Sequence, residues 1–183
     1  MTGPKKLKRH SSVTKNEHLR RMLRVCQQNQ LRYRYVLNDN GFSSKENMVF
    51  IKQDMGKDFV MALKSNRTVA LTPEDKRQGH FVRADALPLE EGTVVQGHLK
   101  GVPFPVMLAK QVFTNKDGSI GVLYLASSDL QITYDRITAI YQKRWNVEVF
   151  HKIHQIQYRL GPIPDPYCPD SEQPFLCIHL CII

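Results

Sequence analysis

The sequence predicts an α/β domain, and three observations lead to this fold class. Thr14 and Glu17 are spaced as a capping box ahead of a helical apolar stripe, so a helix is expected near the N-terminus. Alternating apolar side chains from Leu31 to Leu37 indicate a strand. Residues 93–126 contain short apolar runs and a strong hairpin turn, Asn115–Gly118, so this stretch is predicted to be β-rich.

The remaining elements are expected in chain order. Ser43 and Glu46 form a second capping box, which begins a helix. Further strands are expected at 59–63 and 69–71, loops at 73–92, and a final helix from about Asp135. The buried stripes of the three helices are Leu19, Met22, Leu23 and Cys26; Met48, Ile51 and Met55; and Ile137, Ile140 and Tyr141.

Composition excludes several classes of protein. The 183 residues are 42% hydrophobic and 23% charged, as expected for one globular domain. No apolar stretch reaches the length of a membrane span, and the basic N-terminus lacks the apolar segment of a secretory signal. Four cysteines do not make a disulfide scaffold in a chain of this length, so a cytoplasmic location is expected.

The net charge of +9 lies entirely in the first part of the chain. Residues 1–35 hold ten Lys and Arg and one acid, whereas residues 36–183 hold sixteen of each sign. Arg20, Arg21 and Arg24 lie away from the apolar stripe of the first helix and are candidates to face DNA. A solvated, poorly ordered terminus is the alternative interpretation.

The run from Tyr141 to Lys152 is the most informative motif. Tyr141, Arg144 and Glu148 are spaced i, i+3 and i+7, which places them on one face of a helix. Trp145 lies beside them, and cations next to a carboxylate suit a site that binds phosphate and a metal ion. A plain ion pair between Arg144 and Glu148 explains the same spacing, because structural ion pairs also resemble sites.

Asp39 is the second candidate carboxylate. It follows a strand, at the edge where α/β folds place ligands, and a strand-end Asp and a helical Glu can share Mg²⁺. Two such ions clamp the attacking and leaving oxygens in phosphodiester cleavage. Taken singly, Asp39 is more simply explained as an Asx-turn residue.

Two segments resemble bacterial DDE transposases of the insertion-sequence-four type. Residues 36–48 resemble the segment around the family's second catalytic Asp, and Tyr141-x-x-Arg144-x-x-x-Glu148 resembles the signature around its catalytic Glu. The resemblance runs from about residue 12 to residue 155 and keeps the two motifs in the family's order. It favours the functional interpretation of Glu148.

The resemblance implies metal-dependent phosphodiester hydrolysis and strand transfer at transposon ends, in the bacterial nucleoid and without a small-molecule substrate. Asp39 and Glu148 would be catalytic residues and ligands of Mg²⁺ or Mn²⁺. Tyr141, Arg144 and Lys152 would contact DNA phosphate, whereas Trp145 would pack the helix on the sheet.

The resemblance also implies a fold, a ribonuclease-H-like mixed sheet with a β-rich insertion before the catalytic-Glu helix. After a flexible basic lead at 1–11, residues 12–72 would form a partial core that carries the second catalytic Asp. Residues 73–126 would be the insertion, and 127–160 the last core strand and the helix. Residues 161–183 are a divergent tail with five of the ten prolines.

The chain departs from the family in ways that bear on activity. The first of the family's three acids has no counterpart, because none of the residues before Asp39 is an Asp. The family's Lys seven residues after the Glu is replaced by Gln155. We therefore expect an N-terminally truncated enzyme fragment with an incomplete sheet, inactive alone, whose open sheet edge favours pairing with a partner.

Three alternatives stay open. The chain could be a catalytically dead DNA-binding or subunit-pairing fragment that pairs with itself or inhibits an intact transposase, or it could be a non-functional remnant. A zinc site in the tail has weak support, because the spacing of its possible ligands lacks a close Cys pair. These ligands are Cys168, Cys177, His179 and Cys181.

Overall fold

The computed structural model describes residues 12–115, 117–145 and 181–182, the last two by their backbone alone. The helices are α1 (Lys15–Gln28), α2 (Lys45–Val49), α3 (Pro73–Gln78) and α4 (134–145), with a π-helical turn at Phe50–Asp54 and a 3-10 turn at Ala84–Ala86. The strands are β1 (Tyr35–Asn38), β2 (Asp58–Leu63), β3 (Thr68–Ala70), β4 (Val82–Arg83), β5 (Val94–Leu99), β6 (Val106–Thr114), β7 (Ile120–Ser127) and β8 (Cys181–Ile182).

These strands form one mixed sheet in the order β4-β3-β5-β6-β7-β2-β1-β8. β1 and β2 are parallel, and the other neighbours are antiparallel. The predicted α/β class is confirmed. The edge of β1 that we expected to be open is paired over two residues by β8, where Leu37 lies opposite Cys181.

Helices cover both faces of the sheet. Since successive residues of β1 point to opposite sides, this strand contributes residues to both cores. α1 and α2 pack on one face, and α4 packs on the other. The first core includes Leu19, Leu23, Val36, Met48, Ile51 and Phe59. The second core includes Tyr35, Leu37, Val60, Ile137, Ile140 and Tyr141.

Capping side chains fix the starts of the first two helices. The Thr14 hydroxyl accepts the Glu17 N–H at 3.3 Å and the Glu17 carboxylate accepts the Thr14 N–H at 2.7 Å, so the predicted capping box is confirmed. For α2 the prediction was wrong by one residue, since Ser44 accepts the Asn47 N–H at 3.2 Å. The Ser43 hydroxyl donates to a carbonyl of the preceding turn instead.

The first strand is shorter than predicted and is buried on both faces. β1 has four residues, all buried, whereas Leu31 is 48% exposed and lies outside it. A strand covered by helices on both sides does not need polar residues on alternate positions. The alternation from Leu31 to Leu37 therefore did not mark the limits of the strand.

The segment predicted as loops contains α3. The Thr72 hydroxyl accepts the Asp75 N–H at 3.0 Å, Pro73 occupies the first turn, and Gly79 ends the helix at a φ of +76°. None of the residues of α3 is buried. An exposed helix of this kind has no apolar stripe by which periodicity could reveal it.

The predicted hairpin turn joins β6 and β7. The Asn115 N–H donates to the Ser119 carbonyl at 2.8 Å, and Gly118 adopts a φ of +82° that favours glycine. β6 is one continuous strand of nine residues, longer than the short apolar runs of this stretch suggested. It pairs with β7 along its length, from Met107 opposite Ser127 to Thr114 opposite Ile120.

His98 on β5 predicts an acid-sensitive fold. The residue is 7% exposed, and neither ring nitrogen has a hydrogen-bond partner among the described residues. Burial, helped by the charge of Lys76, lowers the pKa of His98 below its ordinary 6.5. Because the unfolded chain then binds the proton more readily, stability is present above 6.5 and is lost as the pH falls through the folded pKa.

Replacing His98 by leucine is expected to abolish that acid-dependent loss and to stabilise the protein by about 1 kcal/mol at pH 6, because no hydrogen bond is lost. Urea midpoints at several pH values between 5 and 8 provide the measurement. His80→Leu, at an exposed position, is the matched control and should keep the wild-type slope. An unchanged slope in His98→Leu would contradict the prediction.

Candidate active site

Asp39 lies directly after β1 and is half-buried. Its Oδ1 accepts the Gly41 N–H at 2.8 Å, and its backbone carbonyl accepts the Phe42 N–H at 3.2 Å. These bonds form the Asx turn that was one interpretation of this residue. Oδ2 accepts no hydrogen bond from the described residues, so the carboxylate keeps one oxygen for a ligand.

Asn47 holds the turn after Asp39 against α1. Its buried side chain donates from Nδ2 to the Phe42 carbonyl at 2.9 Å and to Asn16 Oδ1 at 3.0 Å, and Oδ1 accepts from Arg20 Nη1 at 2.7 Å. These three bonds connect α1, α2 and the turn. The sequence analysis missed Asn47, because nothing local distinguishes it from a solvated polar residue of a helix.

Gly41 leaves space beside the Asp39 carboxylate. A Cβ at this position would lie 2.6 Å from Lys15 Nζ and 3.0 Å from Asp39 Oδ1. The Lys15 ammonium also lies 4.9 Å from the centre of the Phe42 ring. The space beside the Asp39 carboxylate is therefore shaped by a glycine and bordered by a cation.

α4 carries Tyr141, Arg144 and Trp145. Tyr141 is 3% exposed and belongs to the core that contains Leu37, two residues before Asp39. The Arg144 guanidinium lies 5.4 Å from the Tyr141 ring and 4.9 Å from the Trp145 ring. Trp145 is 50% exposed, so the expectation that it packs the helix on the sheet is wrong. Tyr141 and its neighbours make that contact instead.

Several predicted residues lie outside the described part of the chain. They include Glu148, the second predicted carboxylate, and Lys152, and also Gln155 and the tail residues Cys168, Cys177 and His179. The backbone of Cys181 is described as part of β8. The distance between Asp39 and Glu148 is therefore still a prediction.

The three arginines of α1 have different environments. Arg20 is half-buried and bonded to Asn47, so it connects α1 to α2. The Arg24 guanidinium lies 5.0 Å from the centre of the Phe50 ring on the exposed side of the same pair of helices. Arg21 is exposed. All three stand on the face of the sheet opposite α4.

Asp129 is a buried carboxylate that the sequence analysis did not identify as important. Its Oδ2 accepts from the Tyr35 hydroxyl at 2.5 Å and from Arg34 at 3.0 Å, and Oδ1 accepts the Gln131 N–H at 3.0 Å. Burial acts to raise the pKa of Asp129, but these hydrogen bonds and the charge of Arg34 outweigh it, and the pKa lies below its ordinary value.

The position of Asp129 excludes it as a partner of Asp39. It contacts Tyr35 at the start of β1, whereas Asp39 follows the end of the same strand, roughly 13 Å further along. Both of its oxygens are also engaged by the protein. Asp129 therefore joins the loop before α4 to β1 and has a structural role.

Asp39 is the candidate metal ligand at this end of the described structure. No group of three His, Cys, Asp or Glu side chains that could hold a metal ion occurs within the described residues. Mg²⁺ uses one or two carboxylates together with phosphate oxygens, so Asp39 fits as one ligand and needs a second from another segment.

A comparison with protein families identifies the family of this chain. The family described as transposase DDE domain matches residues 7–163, which include both Asp39 and Glu148. The chain therefore belongs to the transposase DDE domain family, and the predicted relationship is confirmed at that level. No curated protein matches the chain. Transposase DDE domains in general use divalent metal ions, and the family suggests DNA as the partner.

None of the helices within the described ranges is long and apolar enough to cross a membrane.

Proposed function

We propose that this chain forms part of the active site of a bacterial DDE transposase of the insertion-sequence-four type. Asp39 and Glu148 are two of its metal ligands, and the substrate is the phosphodiester backbone at transposon ends. The observation that carries this proposal is the family match, which spans both acidic motifs without interruption. When bound, Mg²⁺ or Mn²⁺ activates water and stabilises the charge of the cleaved phosphate.

The environment of Asp39 supports its role as a ligand. One carboxylate oxygen is fixed by the Gly41 N–H, and the turn is held by Asn47, so the side chain is positioned before any ligand arrives. The second oxygen stays available. A carboxylate held in this way loses little conformational entropy when it binds an ion, which favours coordination.

Arg144 is the residue of α4 that we assign to DNA phosphate. Its guanidinium is stacked with the rings of Tyr141 and Trp145, which orients a planar fork suited to phosphate oxygens. Tyr141, which the resemblance places at DNA phosphate, is buried, and this supports a role in holding Arg144 in position. Lys152, one turn beyond Glu148 in sequence, is assigned to phosphate as well.

The sheet and the division of the chain fit a ribonuclease-H-like core. In this proposal β1, β2 and α4 belong to the core, within 12–72 and 127–160. The stretch 73–126 is the insertion and includes α3, β4, β5, β6 and all of β7 except Ser127. The first of the family's three acids has no counterpart among the residues before Asp39. We therefore propose that these 183 residues alone do not transpose DNA.

The first test uses the fluorescence of Trp145, the sole tryptophan of the chain. Mn²⁺ is paramagnetic and quenches a nearby indole, so titration of the chain with Mn²⁺ in the presence of duplex DNA should give saturable quenching. Asp39→Asn and Glu148→Gln are expected to remove the saturable part, because each deletes an anionic ligand. Asp117→Asn, an exposed residue of the hairpin turn, is the matched control.

Nicking of plasmid DNA by the same variants then examines activity. We expect no difference between the wild-type chain and Glu148→Gln, because two of three acids leave the ion weakly held. Nicking that is lost in Glu148→Gln would show that two acids suffice and would contradict the proposed inactivity. Equal quenching in all four proteins would instead favour a catalytically dead DNA-binding fragment.

A further inference from the structure

Arg67 presents an unsatisfied cation inside the protein. It ends the turn Lys64–Arg67 between β2 and β3 and is half-buried. Its Nε and Nη2 are enclosed, yet neither has a hydrogen-bond partner among the described residues. Burying an unpaired charge is costly. A counter-ion that the described side chains do not provide would therefore stabilise Arg67.

The strand register places Arg67 beside Gly101. Thr68 accepts the Lys100 N–H at 3.2 Å, and Val69 lies opposite Leu99, so residue 67 continues the pairing opposite residue 101. Val69 points into the core under α1 and α2, and Arg67, two residues earlier, belongs to the same side of the strand. Arg67 therefore lies on the face of the sheet opposite α4.

A cleft of about 500 Å³ opens on this face, with Gly101 as one wall. α1 and α2 contribute three cations to it, Arg20, Arg24 and Lys45, and the carboxylates are those of Glu46 and Asp54. The stem of Lys45 passes over Gly101, where a Cβ would lie 3.0 Å from Lys45 Cδ. Arg67 itself does not line this cleft; burial lowers its pKa, and the charge of Glu46, which does line the cleft, opposes that shift.

The carboxylates of the cleft do not neutralise its arginines. Arg20, Arg24 and Arg67 make no ion pair with any Asp or Glu of the described structure. Lys45 approaches Glu46 at 3.7 Å, but both side chains are more than half exposed, and such pairs contribute little. The guanidinium groups of Arg20 and Arg24 thus line this cleft without a fixed anionic partner, and that of Arg67 is unpaired at the neighbouring end of β3.

We propose that Arg67, together with Arg20, Arg24 and Lys45, forms an anion site that binds a phosphate group of the DNA backbone. The planar guanidinium fork matches phosphate oxygens, and a bound phosphate satisfies the enclosed N–H groups of Arg67. Only the choice of DNA as the source of the phosphate rests on the proposed function.

The first experiment compares the melting temperature of the full chain in inorganic phosphate and in chloride at equal ionic strength. Phosphate at ten times its Kd is expected to raise Tm by roughly 4 °C above chloride. Arg67→Met keeps the length of the side chain and should abolish this difference. Lys64→Met removes a charge from the same turn and should retain it. A phosphate effect that survives in Arg67→Met would overturn the site.

The second experiment identifies the source of the phosphate. The affinity of the chain for a labelled duplex is measured by anisotropy at several salt concentrations, and Arg67→Met should lower the slope of log Kd against log salt by about one. An unchanged slope with a lost phosphate effect would overturn the assignment to DNA and leave free phosphate as the ligand.

The variant Glu46→Gln distinguishes binding of an external anion by Arg67 from an internal ion pair between Arg67 and Glu46. It removes a competing carboxylate, so it should strengthen the phosphate effect if an anion binds Arg67. If Arg67 instead pairs with Glu46 in solution, this variant should lower Tm and leave the phosphate effect absent, which would overturn the proposal. The metal proposal fails separately, since manganese quenching of Trp145 depends on Asp39 and Glu148.

Discussion

Replacing Asn47 by alanine is expected to lower the free energy of unfolding by about 3 kcal/mol, since it leaves several buried polar groups without partners. The Phe42 carbonyl and Asn16 Oδ1 both lose their donor, Nδ2, and Arg20 loses the oxygen that fixes its guanidinium. Asn47 is fully buried, so water does not replace these bonds without a change in structure. Urea unfolding followed by circular dichroism gives the value.

Asn40→Ala is the matched control, because it removes the same side chain from an exposed position in the same turn. It should change the free energy of unfolding by less than about 0.5 kcal/mol. Ser44→Ala is expected to cost about 1 kcal/mol through loss of the helix cap alone. An Asn47→Ala variant no less stable than Ser44→Ala would show that the three side-chain bonds contribute nothing beyond the cap.

The same variant links stability to the candidate site. Asn47 touches the turn that holds Asp39, so its loss should loosen the position of the carboxylate as well as the fold. The saturable manganese quenching of Trp145 should then weaken under conditions where Asn47→Ala is still folded. Asn40→Ala should bind Mn²⁺ like the wild type.

Local sequence patterns predicted the features that depend on neighbours in the chain. Thr14 and Glu17 lie three residues apart, and their reciprocal hydrogen bonds follow from that spacing alone. The apolar stripes of α1 and α4 also formed as predicted, with Leu19, Leu23 and Ile137 buried. Asp39 was found because a strand, a turn and a helix meet at it, and this order is visible in the sequence.

Features that depend on distant contacts were not predictable in the same way. Asn47 and Arg67 look like solvated polar residues in the sequence, but Asn47 is buried against α1 and Arg67 is half-buried in the turn before β3. Asp129 meets Tyr35 across 94 positions of the chain. For Trp145 the prediction failed in the opposite direction. This large aromatic residue was expected to pack the helix on the sheet, but it is 50% exposed and lies against the Arg144 guanidinium at the surface.

Replacing Asp129 by alanine is the second change for which we expect a large effect, a loss of about 3 kcal/mol in the free energy of unfolding. The buried Tyr35 hydroxyl and the Gln131 N–H would lose their acceptor. Arg34 adds less, because its side chain is 58% exposed and water replaces the carboxylate. Loss of the Gln131 bond should also loosen the loop that leads into α4.

The pH dependence of stability follows from the shifted pKa values of this pair. The pKa of Asp129 is lower in the folded than in the unfolded protein, so its contribution is present above the ordinary value of 3.8 and is lost as the pH falls through the folded pKa. Burial, the hydrogen bond to Asp129 and the charge of that carboxylate raise the pKa of Tyr35 to about 12. The contribution of Tyr35 is therefore present below pH 10 and is lost as the pH rises toward 12.

Tyr35→Phe distinguishes the two contributions, because it removes the hydroxyl and keeps the ring in the core. We expect it to cost about 1.5 kcal/mol at pH 7, to remove the alkaline loss, and to keep part of the acid loss through Arg34 and Gln131. Asp129→Asn should remove the acid loss. Absorbance of tyrosinate near 295 nm during an alkaline titration provides a direct check, since the wild-type protein should contain a tyrosine that ionises with a pKa of about 12 and that Tyr35→Phe lacks. A wild-type chain whose tyrosines all ionise near pH 10 would show that the bond between Tyr35 and Asp129 does not hold in solution.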